Sequence, residues 1–234
     1  MRENNYIYRQ QQLLKAFDKA ITRSKHVLVT RYGNEQAYSL IRESRLEYET
    51  IIPKIPFIGY KNPFLVFLFP KSRCLAIYRV LRRKGLIFEE AAQIIFEMGE
   101  AELESVPILL RRIIGYLWFS PIYKWRLRKQ AKESQERKYP GSYVFNFIEG
   151  AGRIFDYGFD YTECAGCKFF NQQGTPELAP IMCATDIIAS KIFGWGLTRT
   201  ITIADGFQKC DFRFKKGGKT NITISPSVKD VCKL

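Results

Sequence analysis

Histidine is all but missing from this sequence: His26, in the turn-like stretch SKHVLVTRYGN, is the only one. Three-histidine metal sites are therefore excluded, and a Ser-His or Cys-His mechanism has a single residue to recruit. General acid or base work falls instead to carboxylates, thiols, Lys or Tyr. A charged-then-apolar leader is also lacking, since MRENNYIYRQQQLL is polar and reads as the start of a helix, which points to the cytoplasm. In that reducing compartment the six cysteines are expected as thiols, not as a disulfide framework. The most apolar stretch, IIPKIPFIGYKNPFLVFLFP, is cut by Pro53, Pro56, Pro63 and Pro70 and by two lysines. This argues against a spanning helix, which needs about 20 suitable residues, and for a buried or partner-facing loop. Neither an internal repeat nor a low-complexity tract is visible.

Acidic residues are in deficit: 23 Asp and Glu face 37 Lys and Arg, for a net charge of +14. Much of the excess sits in KWRLRKQAKESQERKYP and near the C-terminus, a balance that favours nucleic acid, anionic lipid or small anions. No nucleic-acid motif accompanies it, so no nucleic-acid partner is expected. A solvated basic helix is the simpler reading, with contact to an anionic membrane surface left as an alternative. What is abundant is apolar composition, 46% of the chain, enough to bury a substantial core.

The periodicity changes once along the chain. Leu13, Leu14, Phe17 and Ile21 mark one face of a helix over 6–22, and a second helix is expected over 35–48. Helices follow at 72–83, at EEAAQIIFEM and at ELESVPILLRRIIGYLWF, the last running into the basic segment that ends at Pro140 and Gly141. After Gly141, SYVFNFIE and RIFDYGFDYT alternate with period two around GAG and read as a β-hairpin. Two helices over 163–171 and 176–193 come next, Thr175 capping the second ahead of Pro176. GLTRTITI and KCDFRF then form a second hairpin around ADG. The expected fold class is α+β: a mainly helical region over 1–140, then a ββααββ region over 141–234 with an antiparallel sheet covered by helices, packed as one unit with the first.

Chemistry concentrates in the second region. On the helix PELAPIMCATDIIASKIF, Leu178, Ile181, Thr185, Ile188 and Ile192 form a core stripe, while Ala179, Cys183, Asp186 and Ser190 form a second line carrying a thiol and a carboxylate. That face fits either a ligand or close packing of another helix. On the following strand Arg199 shares a face with Leu197, Ile201 and Ile203, and a buried guanidinium requires an anion. Asp186, Asp211 and the acid group of a ligand are the candidates. Cys210, Phe212 and Phe214 share a face of the last strand, with Asp211 and Arg213 opposite.

Cys164 and Cys167 stand in FDYTECAGCKFF, a C-x-x-C at a helix start. Redox chemistry is disfavoured because the motif lies in an antiparallel pattern and not after the first strand of a βαβ unit. Zinc through Cys164, Cys167, Cys183 and Cys210 would need two short paired spacings, and only one is present, so no metal or cofactor is expected. A pocket lined by Cys167 and Cys183 remains, or plain burial.

The blocks FDYGFDYTECAGCKFF, GTPELAPIMCATDIIAS and GWGLTRTITIADGFQKCDFRFKK, in that order, resemble the L-2-amino-thiazoline-4-carboxylic acid hydrolase family over about 142–216. The resemblance implies a hydrolase that opens the ring of a small cyclic amidine-like carboxylic acid to an N-carbamoyl amino acid. Its motif positions fall on Thr162, Cys167, Cys183, Asp186, Arg199, Thr200, Cys210 and Asp211. Joined to the residue reading, Asp186 would hold the amidinium and take a proton from water, or Cys183 would attack first, with Cys167 beside it. Arg199 would clamp the substrate carboxylate, with Thr200 and Thr162 as further binding residues. A weaker likeness to the 4-vinyl reductase domain implies a non-catalytic small-molecule-binding module instead.

Overall fold

A computed structural model describes residues 5–234; residues 1–4, where the polar opening segment starts, lie outside the described residues. α1 (Gln10–Ser24) buries Leu13, Leu14, Phe17 and Ile21, the stripe that its periodicity predicts. α2 (His26–Ile51) begins at the histidine, well before residue 35. The turn-like character of RYGN is local to Gly33, whose φ of 73° breaks the helix for one residue before it resumes.

α3 (Leu65–Arg83) claims the end of the apolar stretch expected as a loop. Pro70 removes a donor from its second turn, a loss of about 3 kcal/mol. Leu68, Leu75 and Val80 are fully buried along the same helix, each contributing about 1.5–3 kcal/mol, so burial outweighs the proline. α4 (Phe88–Glu104) runs on through the start of ELESVP, and α5 (Ile108–Trp118) begins afresh after Pro107, because the residue before a proline is pushed out of the helical region. α6 (Pro121–Ser134) carries the basic segment and is capped by Ser120, whose hydroxyl accepts from the Tyr123 N–H at 3.2 Å.

The sheet holds β1 (Val144–Glu149), β2 (Tyr157–Glu163), β3 (Leu197–Arg199), β4 (Cys210–Phe214) and β5 (Asn221–Ile222), in the spatial order β1-β2-β4-β3-β5. α7 (Ala165–Gln172) and α8 (Leu178–Phe193) connect β2 to β3, and α9 (Pro226–Cys232) ends the chain. The fold is α+β, with helices first and a ββααββ unit after them. The sheet departs from the purely antiparallel expectation at one edge, where β3 pairs with β5 in parallel. β3 is also shorter than GLTRTITI, because the Asp211 carboxylate accepts from the N–H groups of Thr200 and Ile201 at 2.8 and 2.9 Å and replaces the ladder there.

Register explains the inner face. Pairing of Phe159 with Phe212 and of Tyr157 with Phe214 stacks aromatic rings on one side of the sheet. On the other side Asp160 pairs with Lys209 and Arg213 at 2.6 and 2.8 Å. One core cluster joins Phe17, Leu68 and Leu75 of the helices to Phe145, Phe159 and Phe214 of the sheet. A smaller cluster gathers Phe96 of α4, Ile181 and Ile188 of α8 and Val228 of α9. Among the described residues no helix is long and apolar enough to cross a membrane.

Candidate active site

Where the aromatic face of the sheet meets the helices, the packing leaves a cavity of about 90 Å³. The sheet supplies Phe159, Tyr161, Leu197, Cys210, Phe212 and Phe214 to its wall. α8 contributes Met182, Cys183 and Asp186, and the α5–α6 corner contributes Trp118 and Tyr123. Phe64, Phe67 and Lys71, three and four residues apart, line it from α3 and the residue preceding it, and Cys164 lines it from the start of α7. At about 30 Å³ per liquid water, the space as it stands has room for roughly three water-sized groups. A larger open groove of about 690 Å³ lies outside and shares Phe64 and Tyr143 with the cavity, but neither the thiols nor Asp186 reach it.

Among the described residues an ammonium, a carboxylate and three thiols face this apolar space, and three of these groups interact. Asp186 is held from behind by Arg199, which is 1% exposed and pairs with the carboxylate and with the Cys183 carbonyl, the latter at 3.1 Å. Burial raises the Asp186 carboxyl above its ordinary value, against the downward pull of Arg199 and Lys71. Lys71 donates to the Phe67 carbonyl at 3.2 Å and makes no ion pair among the described residues. Its stem crosses Gly166, on which a Cβ would stand 2.6 Å from Lys71 Cδ.

Cys164 is the third. It occupies the N-cap of α7, in extended conformation, at the point where strand turns to helix. The neighbouring Cys167 side chain, the positive charge of Lys71 and the backbone N–H groups of Gly166 and Cys167 at the start of α7 all favour its thiolate. These effects outweigh burial and hold the Cys164 thiol well below the ordinary range. Cys167 is driven the opposite way, first by its interaction with Cys164 and then by burial. Burial also pushes Cys183 well above the usual thiol value and Cys210 up to about 12, although the Ile203 N–H donates to the Cys210 sulfur at 3.2 Å.

Unmet hydrogen-bonding capacity surrounds these charges. Tyr143 Oη, Trp118 Nε1 and Trp195 Nε1 are buried, belong to cavity-lining residues and have no partner among the described residues. Leaving such groups unpaired costs about 1–3 kcal/mol each, so their presence at one cavity is suited to a ligand rich in acceptors. The two indoles stack at 4.1 Å between ring centroids, 16° from parallel.

Of the residues singled out in the sequence, Cys183 and Asp186 line the cavity together. Cys167 lies behind Cys164, and Arg199 lies behind Asp186 with its guanidinium 5.4 Å from the Phe212 ring centroid. Thr200 is outside, its hydroxyl on Asp211 at 2.5 Å; Thr162 is outside too, donating to the Val144 carbonyl at 3.3 Å. Lys71 escapes a sequence reading because it sits in the proline-cut apolar stretch, although its spacing from Phe64 and Phe67 is helical. Cys164 is legible as half of a C-x-x-C, and its place at the strand-to-helix boundary is the signal that favours it over Cys167. The described residues hold no group of three or more His, Cys, Asp or Glu side chains placed to bind a metal ion.

The model of the family described as L-2-amino-thiazoline-4-carboxylic acid hydrolase matches residues 74–214, more than half of the chain. This chain belongs to that family. The matched span runs from α3 through β4 and so contains every cavity element except the Phe64, Phe67 and Lys71 side. Comparison with curated proteins and with solved structures gives no match. In this hydrolase-family chain the cavity therefore unites a family-spanned thiol and carboxylate pair with a lysine that lies just ahead of the matched region.

Proposed function

We propose that the protein hydrolyses a small cyclic amidine bearing a carboxylate, of the 2-amino-thiazoline-4-carboxylate type, to an N-carbamoyl amino acid, and that Cys164 is the attacking group. The observation that carries this reading is the meeting of the Cys164 thiol at the start of α7, the Lys71 ammonium without an ion-pair partner among the described residues, and the Asp186 carboxylate in the lining of one cavity. Family membership supports the hydrolase class.

The charges divide the substrate between them. Lys71 takes the substrate carboxylate, and Asp186, aligned by Arg199, takes the amidinium by a charge-assisted pair. The Cys164 thiolate attacks the carbon between the two nitrogens and the ring sulfur, and the C=N electron pair moves onto nitrogen. The carbon–sulfur bond of the ring then breaks, leaving an isothiouronium on Cys164 and a free thiolate on the opened substrate. Water adds to the same carbon, its proton passing to Asp186 and on to the departed sulfur. Expulsion of the Cys164 thiolate leaves the urea carbonyl, and the proton that the amidinium brought returns to solvent. Cys183, kept protonated, serves as wall.

The reading is tested by incubating the protein with 2-amino-thiazoline-4-carboxylate and following N-carbamoyl-cysteine by mass spectrometry together with the appearance of one free thiol per turnover. Both signals rising together is the expected result. Saturable binding without product would replace the hydrolase with a ligand-binding module.

A further inference from the structure

The α5–α6 hairpin presents an outer face that the fold does not use. α5 has no buried residue at all, although it is among the most apolar helices of the chain. Ile108, Leu109, Ile113 and Tyr116 are exposed along it, and Ile122 and Trp125 are exposed on α6, which begins three residues after α5 ends. Leu109 is 70% exposed, Ile122 71% and Trp125 60%. Soluble proteins rarely leave so many large apolar side chains wet in one contiguous region. Helix-to-helix packing, the ordinary explanation of an amphipathic stripe, is thus not what satisfies this one.

Charge around the patch selects what covers it. Residues 106–132 contain seven Lys and Arg and no Asp or Glu. Arg112, Lys124 and Arg126 flank the apolar side chains and make no ion pair among the described residues. A second copy docking through the same face would bring two such segments together, like charge against like. An anionic lipid surface meets both features at once, with apolar side chains entering the acyl boundary and Arg and Lys reaching headgroup phosphates. Trp125 and Tyr116 suit the headgroup level, where amphipathic aromatic rings settle. With 11 residues α5 is about 16 Å long, far short of a hydrocarbon core of about 30 Å, so it lies along the surface.

We infer that the outer face of the α5–α6 hairpin docks the protein on anionic membrane surfaces. This is independent of the chemistry assigned to the cavity, although the inner side of the same corner, through Trp118 and Tyr123, forms part of the cavity wall. The hairpin is anchored for that role: the Tyr157 hydroxyl donates to the Trp118 carbonyl at 3.0 Å, and Gly115 packs so closely on the end of α8 that a Cβ there would meet the Phe193 carbonyl oxygen at 2.3 Å.

The test is co-sedimentation of the full chain with phosphatidylcholine vesicles, with and without phosphatidylglycerol, beside the double variant Leu109→Glu with Trp125→Glu. Both positions are exposed, and thermal unfolding checks that the variant retains its fold. Wild-type protein is expected to bind the anionic vesicles at least about tenfold more tightly than the neutral ones, to be released toward 1 M salt, where the Debye length is about 3 Å, and to lose binding in the variant. Absence of binding to anionic vesicles, or equal binding by the variant, would overturn the inference. So would a concentration-dependent dimer in light scattering that the substitutions dissolve, without vesicle binding, because a second copy would then be what covers the face.

Discussion

The Lys71 stem passes through the space that a side chain on residue 166 would occupy. A Cβ on Gly166 would lie 2.6 Å from Lys71 Cδ and 2.8 Å from Lys71 Cε, and 3.6 Å from the Cys164 sulfur. Gly166→Ala therefore displaces a flexible lysine stem and not backbone. Near a helix start alanine is itself the better residue, so stability is expected to change by less than about 1 kcal/mol. The Michaelis constant is expected to rise as the ammonium moves away, which steady-state kinetics beside thermal unfolding will separate from misfolding.

Lys71→Met removes the charge outright. Loss of a charge-assisted contact to the substrate carboxylate is expected to raise the Michaelis constant about 10- to 100-fold. The pH profile moves as well. Cys164 has a folded-state pKa below its unfolded value, so the stability it contributes is present above the ordinary thiol pKa of about 8.5 and is lost as pH falls through the lowered one. Lys71 is one cause of that lowering, after the neighbouring Cys167 side chain. The acidic limb of kcat/KM is therefore expected below the ordinary thiol range in the wild type and at higher pH in the variant, with thiolate absorbance as an independent reading.

Tyr143 trades stability against binding. It is 7% exposed, and its hydroxyl has no partner among the described residues. Tyr143→Phe removes that unmet donor and is expected to leave stability unchanged or raise it by up to about 1–3 kcal/mol. Substrate affinity is expected to fall in the same variant if the hydroxyl bonds the ligand. A melting curve and a binding titration on the two proteins decide it.

The Asp186–Arg199 pair complicates the obvious mutation. Asp186→Asn leaves a guanidinium that is 1% exposed without its anion, and its Nε already lacks a partner. A loss of about 3–5 kcal/mol is expected from breaking such a pair on one side. Replacing both partners, Asp186→Asn with Arg199→Met, is expected to recover much of that stability without recovering turnover. Recovery of turnover in the double variant would remove Asp186 from the chemistry.

Much of the fold follows from local patterning. The period-two runs around residues 143–161 place the aromatic face of β1 and β2 correctly, because alternation in a strand does not depend on distant partners. The joint line of Cys183 and Asp186 is likewise readable, being one turn of one helix. Less accessible is anything that depends on which neighbour arrives. Arg199 had three anions within reason, and only the packing of α8 over β3 selects Asp186. Asp211, equally plausible, is instead consumed by the backbone of Thr200 and Ile201. Four prolines around Lys71 suggest a loop, yet a helix forms there because burial of its inner face outweighs the one proline inside it.

Turnover by Cys164→Ser tests the central assignment most directly. With the fold unchanged, the expected result is a fall in kcat of at least about a thousandfold, while acid-quenched wild type carries the full mass of the substrate on the peptide that contains Cys164. A serine variant that turns over at the wild-type rate, or an adduct that maps to Cys183, would contradict it.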